Sequence, residues 1–167
     1  MEVKAQPKKK VVEAMAVIVV LTAFFALFSR SAEAGLLKAK IYMTQEKIPR
    51  KLSEKELIDF VKKHQTQRID ESKESKVKDR SWQANVLIAF NSPLGALEFD
   101  LVFYDIQKGV RVLVDRQNTL LSERAQKTYL QKINLKRPRY QPNRKMELAI
   151  EVNRAEVGRF KFTTAGE

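Results

Sequence analysis

Apolar residues in the middle of the chain recur at every second position. Trp82, Ala84, Val86, Ile88 and Phe90 share one parity, and Leu97, Phe99, Leu101 and Phe103 share another after a break at Pro93 and Gly95. Period-two spacing places each set on one face of a β-strand, and such a face must pack against another layer. Asp105 to Gly109 then predicts a hairpin loop with Gly109 at positive φ, and Val110 to Val114 the returning strand. Gln117 to Arg124 is polar apart from Leu120 and Leu121 and is expected to be a connection crossing between sheets.

The same alternation brackets this centre. Leu37 to Met43 predicts a strand with Ala39, Ile41 and Met43 inward. Tyr129, Gln131, Ile133 and Leu135 form a later set in which Gln131 is the weak position. Met146, Leu148, Ile150 and Val152 form the clearest one, and Val157 to Thr163 closes the chain with Phe160 and Phe162 inward. One segment has helical spacing instead. Ser53 and Glu56 make a capping box, and Leu57, Ile58, Phe60 and Val61 follow as an apolar stripe. This predicts a helix over about 53–64, lying across an end or edge of a sheet. Residues 65–80 carry mixed charge with only Ile69 and Val77 as larger apolar side chains, and are expected to be an exposed loop or a helical extension with a solvated face.

About seven short strands, with no helices between the later ones, argue against a parallel α/β sheet. They predict a mainly β fold, an antiparallel β-sandwich of immunoglobulin or fibronectin type III style. Pro142 to Leu148 resembles the loop-into-strand that precedes the penultimate strand of fibronectin-like domains, with Met146 where such domains usually carry tyrosine.

Residues 1–34 read differently. Lys4 and Lys8 to Lys10 precede the uncharged apolar run Ala14 to Phe28, and Ala32-Glu33-Ala34 offers a small-x-small site before Gly35. This is the pattern of an export signal cleaved at about Ala34, leaving 35–167 as a periplasmic or secreted β-sandwich domain. The alternative is an uncleaved inner-membrane anchor, since the run extended back to Val11 approaches spanning length. In either case the lysines stay cytoplasmic and the domain lies outside the cytoplasm. Membrane contact is expected only through this segment, if it is uncleaved.

Charge sharpens the picture. The chain holds 32 basic and 20 acidic residues, a formal +12. The leader through Ala34 accounts for five of the basic and three of the acidic residues, so 27 and 17 remain and the domain keeps +10. That excess favours anionic partners and says nothing about fold. Cysteine is absent, which excludes a disulfide scaffold and thiol chemistry without deciding the compartment.

The search for reactive groups turns up little. His64 is the one histidine, and no nucleophile or orienting acid shares its helix face, whereas Phe60 does. A zinc site lacks ligands, a phosphate loop lacks clustered glycines, and no Gly-x-Ser-x-Gly elbow occurs. No cofactor or metal is expected. Glu98 and Asp100, with Tyr104, stand on the outward parity of a central strand; paired acids there are the basis of a hydrolase alternative. The remaining candidate is the acid-free run Lys132 to Lys145, containing Lys132, Lys136, Arg137, Arg139, Tyr140, Arg144 and Lys145. Pro138 and Pro142 stiffen it, its arginines suit phosphate or carboxylate, and Tyr140 is expected to stack on a sugar or base. The plain counterpart is a polar, solvated crossover in a protein that is basic throughout.

The reading is an exported, non-catalytic binding module of the bacterial envelope that mediates protein–protein interaction or assembly. The alternative is an anionic polymer or lipid held by Lys132 to Lys145. Nucleic acid is compatible with the charge but not favoured.

Overall fold

The computed structural model describes residues 36–167, and residues 37–167 form one compact unit. The expected export leader or anchor at 1–34 lies outside the described residues. In chain order the elements are β1 (Ala39–Thr44), α1 (Glu54–Lys63), β2 (Arg68–Asp70), a 3-10 turn (Val77–Asp79), β3 (Ser81–Phe90) and β4 (Glu98–Asp105). They continue with β5 (Val112–Leu120), β6 (Thr128–Lys136), β7 (Arg144–Val152) and β8 (Ala155–Ala165).

The strands form two sheets, β1-β3-β6 and β2-β8-β7-β4-β5. Every neighbouring pair is antiparallel except β2 with β8. From β1 in the small sheet the described chain visits the large sheet at β2, returns for β3, crosses to make the β4–β5 hairpin, returns for β6, and ends in the β7–β8 hairpin. This is an immunoglobulin-style sandwich. The alternating sets meet between the sheets in one core cluster: Ile41 and Met43 from β1, Trp82, Ala84, Val86, Ile88 and Phe90 from β3, Phe99, Leu101 and Phe103 from β4. Ile133 and Leu135 from β6, Met146, Leu148, Ile150 and Val152 from β7, and Phe160 and Phe162 from β8 join it, with Ile69, Leu94, Leu121 and Tyr140 from between and beside them. Leu97 departs from expectation. It precedes β4 and is largely exposed.

Two hairpins obey local turn chemistry. Gly109 takes φ +79°, as its position requires, although β5 starts at Val112, so Val110 lies in the turn. Asn153 and Arg154 both have positive φ in the two-residue link between β7 and β8, which matches the right-handed twist of the strands. Gly158 serves packing instead. A Cβ built there would lie 2.4 Å from the carbonyl oxygen of Ala39, so the start of β1 approaches β8 only because that side chain is absent.

The helix begins as its capping box predicts: Ser53 Oγ accepts from the Glu56 N–H, and the Glu56 carboxylate accepts from the Ser53 N–H at 2.8 Å. Its position corrects the expectation. Val61 and the outward-facing Leu87 of β3 are both fully buried yet outside the inner core cluster. Lys62 Nζ lies 5.7 Å from the Tyr42 ring centroid, and Thr128 Oγ1 donates to Glu54. The helix therefore covers the outer face of the small sheet from β1 toward β6, rather than an end or edge.

Two further expectations are overturned. The charged stretch 65–80 is not only loop, since Arg68–Asp70 pairs in parallel with Thr163–Ala165 and buries Ile69 completely. A three-residue strand shows one apolar side chain to the core, too few for a periodic signal. The stretch from Gln117 is not a crossing connection until after Leu120, because β5 continues through it. Its inward side chains Asp115, Gln117 and Thr119 are polar because they line the margin of the sandwich; Thr119 donates to Gln131 of β6 at 3.2 Å. The weak position in the β6 set is thus a cross-sheet hydrogen bond.

Candidate binding surfaces

The basic run separates when the chain folds. Lys132 and Lys136 stand on the outward face of β6, opposite Asn85 and Ser81. Arg137 turns back into the domain. Its Nε donates to Glu71 Oε1 at 2.6 Å, its Nη2 donates to the backbone oxygen of Glu167, and its guanidinium carbon lies 5.5 Å from the Trp82 ring centroid. Trp82 in turn donates its indole N–H to the Ala165 carbonyl at 2.8 Å, so this arginine belongs to a clamp on the end of β8.

Arg139 pairs with Asp115 on β5. Tyr140 is 3% exposed, packs edge-on to Phe103 and donates its hydroxyl to Asp115 Oδ2 at 3.1 Å. Its ring is therefore not available to stack on a sugar or base, which corrects that expectation: the connection is drawn inward because an aromatic between two prolines fills the sandwich margin. Burial and then the charge of Asp115 push the Tyr140 hydroxyl well above the usual tyrosine range. Burial works to raise Asp115 as well. Hydrogen bonds from Gln117 and Tyr140, together with the charge of Arg139, outweigh it and hold this carboxyl below the usual range.

Arg144 opens β7 with Nη2 donating to Gln141 at 3.0 Å and Nη1 3.9 Å from Asp105. Lys145 is exposed, while its backbone N–H donates to Gln107. Arg137 and Arg144 share one feature. Both line a groove of about 720 Å³ with Pro138 and Pro142 on the connection and Val77 and Lys78 across from it. Val77 and Lys78 carried no signal in sequence, because they lie in a charged stretch whose position opposite the connection is a matter of tertiary folding.

A second surface is the free side of β5. This strand ends the five-stranded sheet and, among the described residues, has only β4 as a neighbour. Leu121 N–H donates to Leu97 C=O, in the same register that pairs Thr119 with Phe99 and Gln117 with Leu101. Antiparallel pairs alternate, so the N–H and C=O of Asn118 and Leu120 point away from β4 toward the open edge, as do those of Arg116, whose N–H is aimed at the Asp115 carboxylate. Val110, Val112, Leu113 and Leu120 are each more than half exposed along it. The ladder shifts register between Phe103 and Tyr104, leaving Val114 as an extra residue on β5.

The outer face of the large sheet carries the outward acids. Arg116 bridges Asp100 at 2.6 Å and Glu151 at 2.8 Å, and Asn118 donates to Asp100 at 3.0 Å. Arg111 pairs with Glu147 and with Glu156 at 2.7 Å while lying over Tyr104. The Asn118 hydrogen bond, aided by Arg116, lowers Asp100, and Arg111 lowers Glu156. A general acid needs the opposite shift. His64 caps α1 with its ring 4.5 Å from that of Phe60. Among the described residues, no group of three acidic or histidine side chains is placed to hold a metal ion.

No family model matches this chain, and no curated protein matches it either. Among solved structures, an immunoglobulin-like protein from Pseudomonas aeruginosa is similar, with a TM-score of 0.42 at 11% identity over 80% of this chain and 99% of that one.

Proposed function

We propose that this β-sandwich is an exported, non-catalytic module that binds another envelope protein by taking an extended segment of it along β5. The open ladder of Asn118 and Leu120, with exposed Val112 and Leu113 further along the strand, is the observation that carries the reading. Sheets ordinarily guard such edges, because unpaired backbone groups recruit a strand. β5 is guarded only by the irregularity at Val114 and by charges on its outer face that are largely paired within the sheet. Main-chain hydrogen bonds supply affinity in strand addition, and alternate side chains supply selectivity. The domain's positive charge and the exposed apolar side chains select a segment that alternates apolar and acidic residues. Export rests on the lysines, apolar run and Ala-x-Ala of residues 1–34. The absence of a catalytic role is supported by acids tied to arginines and a histidine packed on Phe60.

A photoreactive side chain placed at Asn118 tests this in the producing cell. The expected result is crosslinking to one segment of one envelope protein, of apolar and acidic alternation, abolished by Leu120→Pro while the melting temperature is kept. Proline at that position removes an N–H that points to solvent, so the β4–β5 ladder is spared. Crosslinks scattered over many proteins, crosslinks to a second copy of this chain, or insensitivity to Leu120→Pro would each refute strand addition. Recovery of the domain from the cytoplasm would refute export.

A further inference from the structure

We infer that the groove between the Val77–Asp79 turn and the Arg137–Arg144 connection is a second binding site, separate from β5, for a small organic phosphate with an apolar portion. Its volume, about 720 Å³, is in the range of small-molecule sites. Lys78, Arg137 and Arg144 line it, and no carboxylate does. Arg137 is held in place through Nε by Glu71, through Nη2 by the backbone oxygen of Glu167 and through its face by Trp82, so its positive charge borders the groove from a fixed position. Arg144 has donors to spare, since its approach to Asp105 at 3.9 Å is too long for a hydrogen bond. Two guanidiniums and an ammonium match the oxygens of a phosphate better than the two of a carboxylate.

Apolar side chains are interleaved with these basic ones on both walls. Val77 is half exposed beside Lys78, and Pro138 and Pro142 stand beside Arg137 and Arg144, so each wall offers both charge and hydrocarbon. Both prolines restrict the backbone before binding, which reduces the ordering cost of capture. Lys132 and Lys136, from the same basic run, lie on the outward face of β6 and do not line this groove.

A phospholipid headgroup with its first acyl carbons and a soluble sugar or glycerol phosphate share this chemistry. The chain is titrated with dihexanoyl-phosphatidylglycerol below its micelle concentration and with glycerol 3-phosphate, following backbone amide shifts and binding heat. Shifts are expected at Val77, Lys78 and Gln141 to Arg144. Lys78→Gln with Arg144→Gln should weaken binding about tenfold or more, equivalent to about 1.4 kcal/mol. Lys132→Gln with Lys136→Gln removes the same charge outside the groove and should leave affinity within about twofold, since both side chains are exposed on β6 where solvent and salt screen them. Tighter binding of the lipid assigns a headgroup, and equal binding assigns a soluble phosphate; both uphold the site. Shifts elsewhere in the unsubstituted chain, or equal losses in the two variants, would overturn it and leave only diffuse attraction to a basic surface.

Discussion

Asp115→Ala isolates what holds the open margin of the sandwich. The carboxylate receives the Tyr140 hydroxyl at 3.1 Å, the Gln117 amide at 3.0 Å and the Arg139 guanidinium. Removing it leaves the hydroxyl of a tyrosine 3% exposed without an acceptor, a loss of about 1–3 kcal/mol. The Arg139 side chain is 61% exposed, so its share is about 0–1 kcal/mol. The expected cost is about 2–3 kcal/mol, or roughly 6–12 °C in Tm for a domain of this size. Trp82 is the single tryptophan and is fully buried, so its fluorescence in a urea titration reports unfolding directly.

Acid supplies a second readout. Asp115 is lowered in the folded chain relative to about 3.9 when unfolded. Its stabilisation is therefore complete above the unfolded value and is lost as pH falls through the folded one. The gap between the parent chain and Asp115→Ala should be full at pH 7 and shrink below about pH 4. Adding Tyr140→Phe to Asp115→Ala removes the orphaned hydroxyl and should return about 1 kcal/mol. A cost at pH 7 below about 0.5 kcal/mol, or one that persists unchanged in acid, would refute this account of the margin.

Other substitutions probe the remaining contacts. Gly158→Ala drives a methyl against the Ala39 carbonyl and should cost about 1–3 kcal/mol by the same urea assay; a neutral result would show that β1 can move away freely. Arg137→Met leaves the Glu71 carboxylate, whose side chain is 5% exposed, with only Arg80 at 3.9 Å. The expected loss is about 3 kcal/mol, partly restored when Glu71→Gln is added; additive effects of the two would deny the pairing.

The sandwich was legible in the chain because its strands face the core on one side only, and a period of two records that directly. Trp82 to Phe90 and Met146 to Val152 show it without help from any partner. The Ser53–Glu56 cap is equally local, with donors and acceptors three residues apart. What only the folded chain decided is which charged and polar side chains meet. Arg137 and Glu71 are 66 positions apart, Tyr104 and Glu151 are 47, and Thr119 reaches Gln131 across two sheets. A run of basic residues therefore disclosed its charge but not its direction: Tyr140 turns inward, Arg137 is tied to Glu71 and borders a groove with Arg144, and Lys132 faces solvent. Apolar burial is non-directional and leaves its period in the sequence, whereas an ion pair depends on where distant strands bring two side chains together.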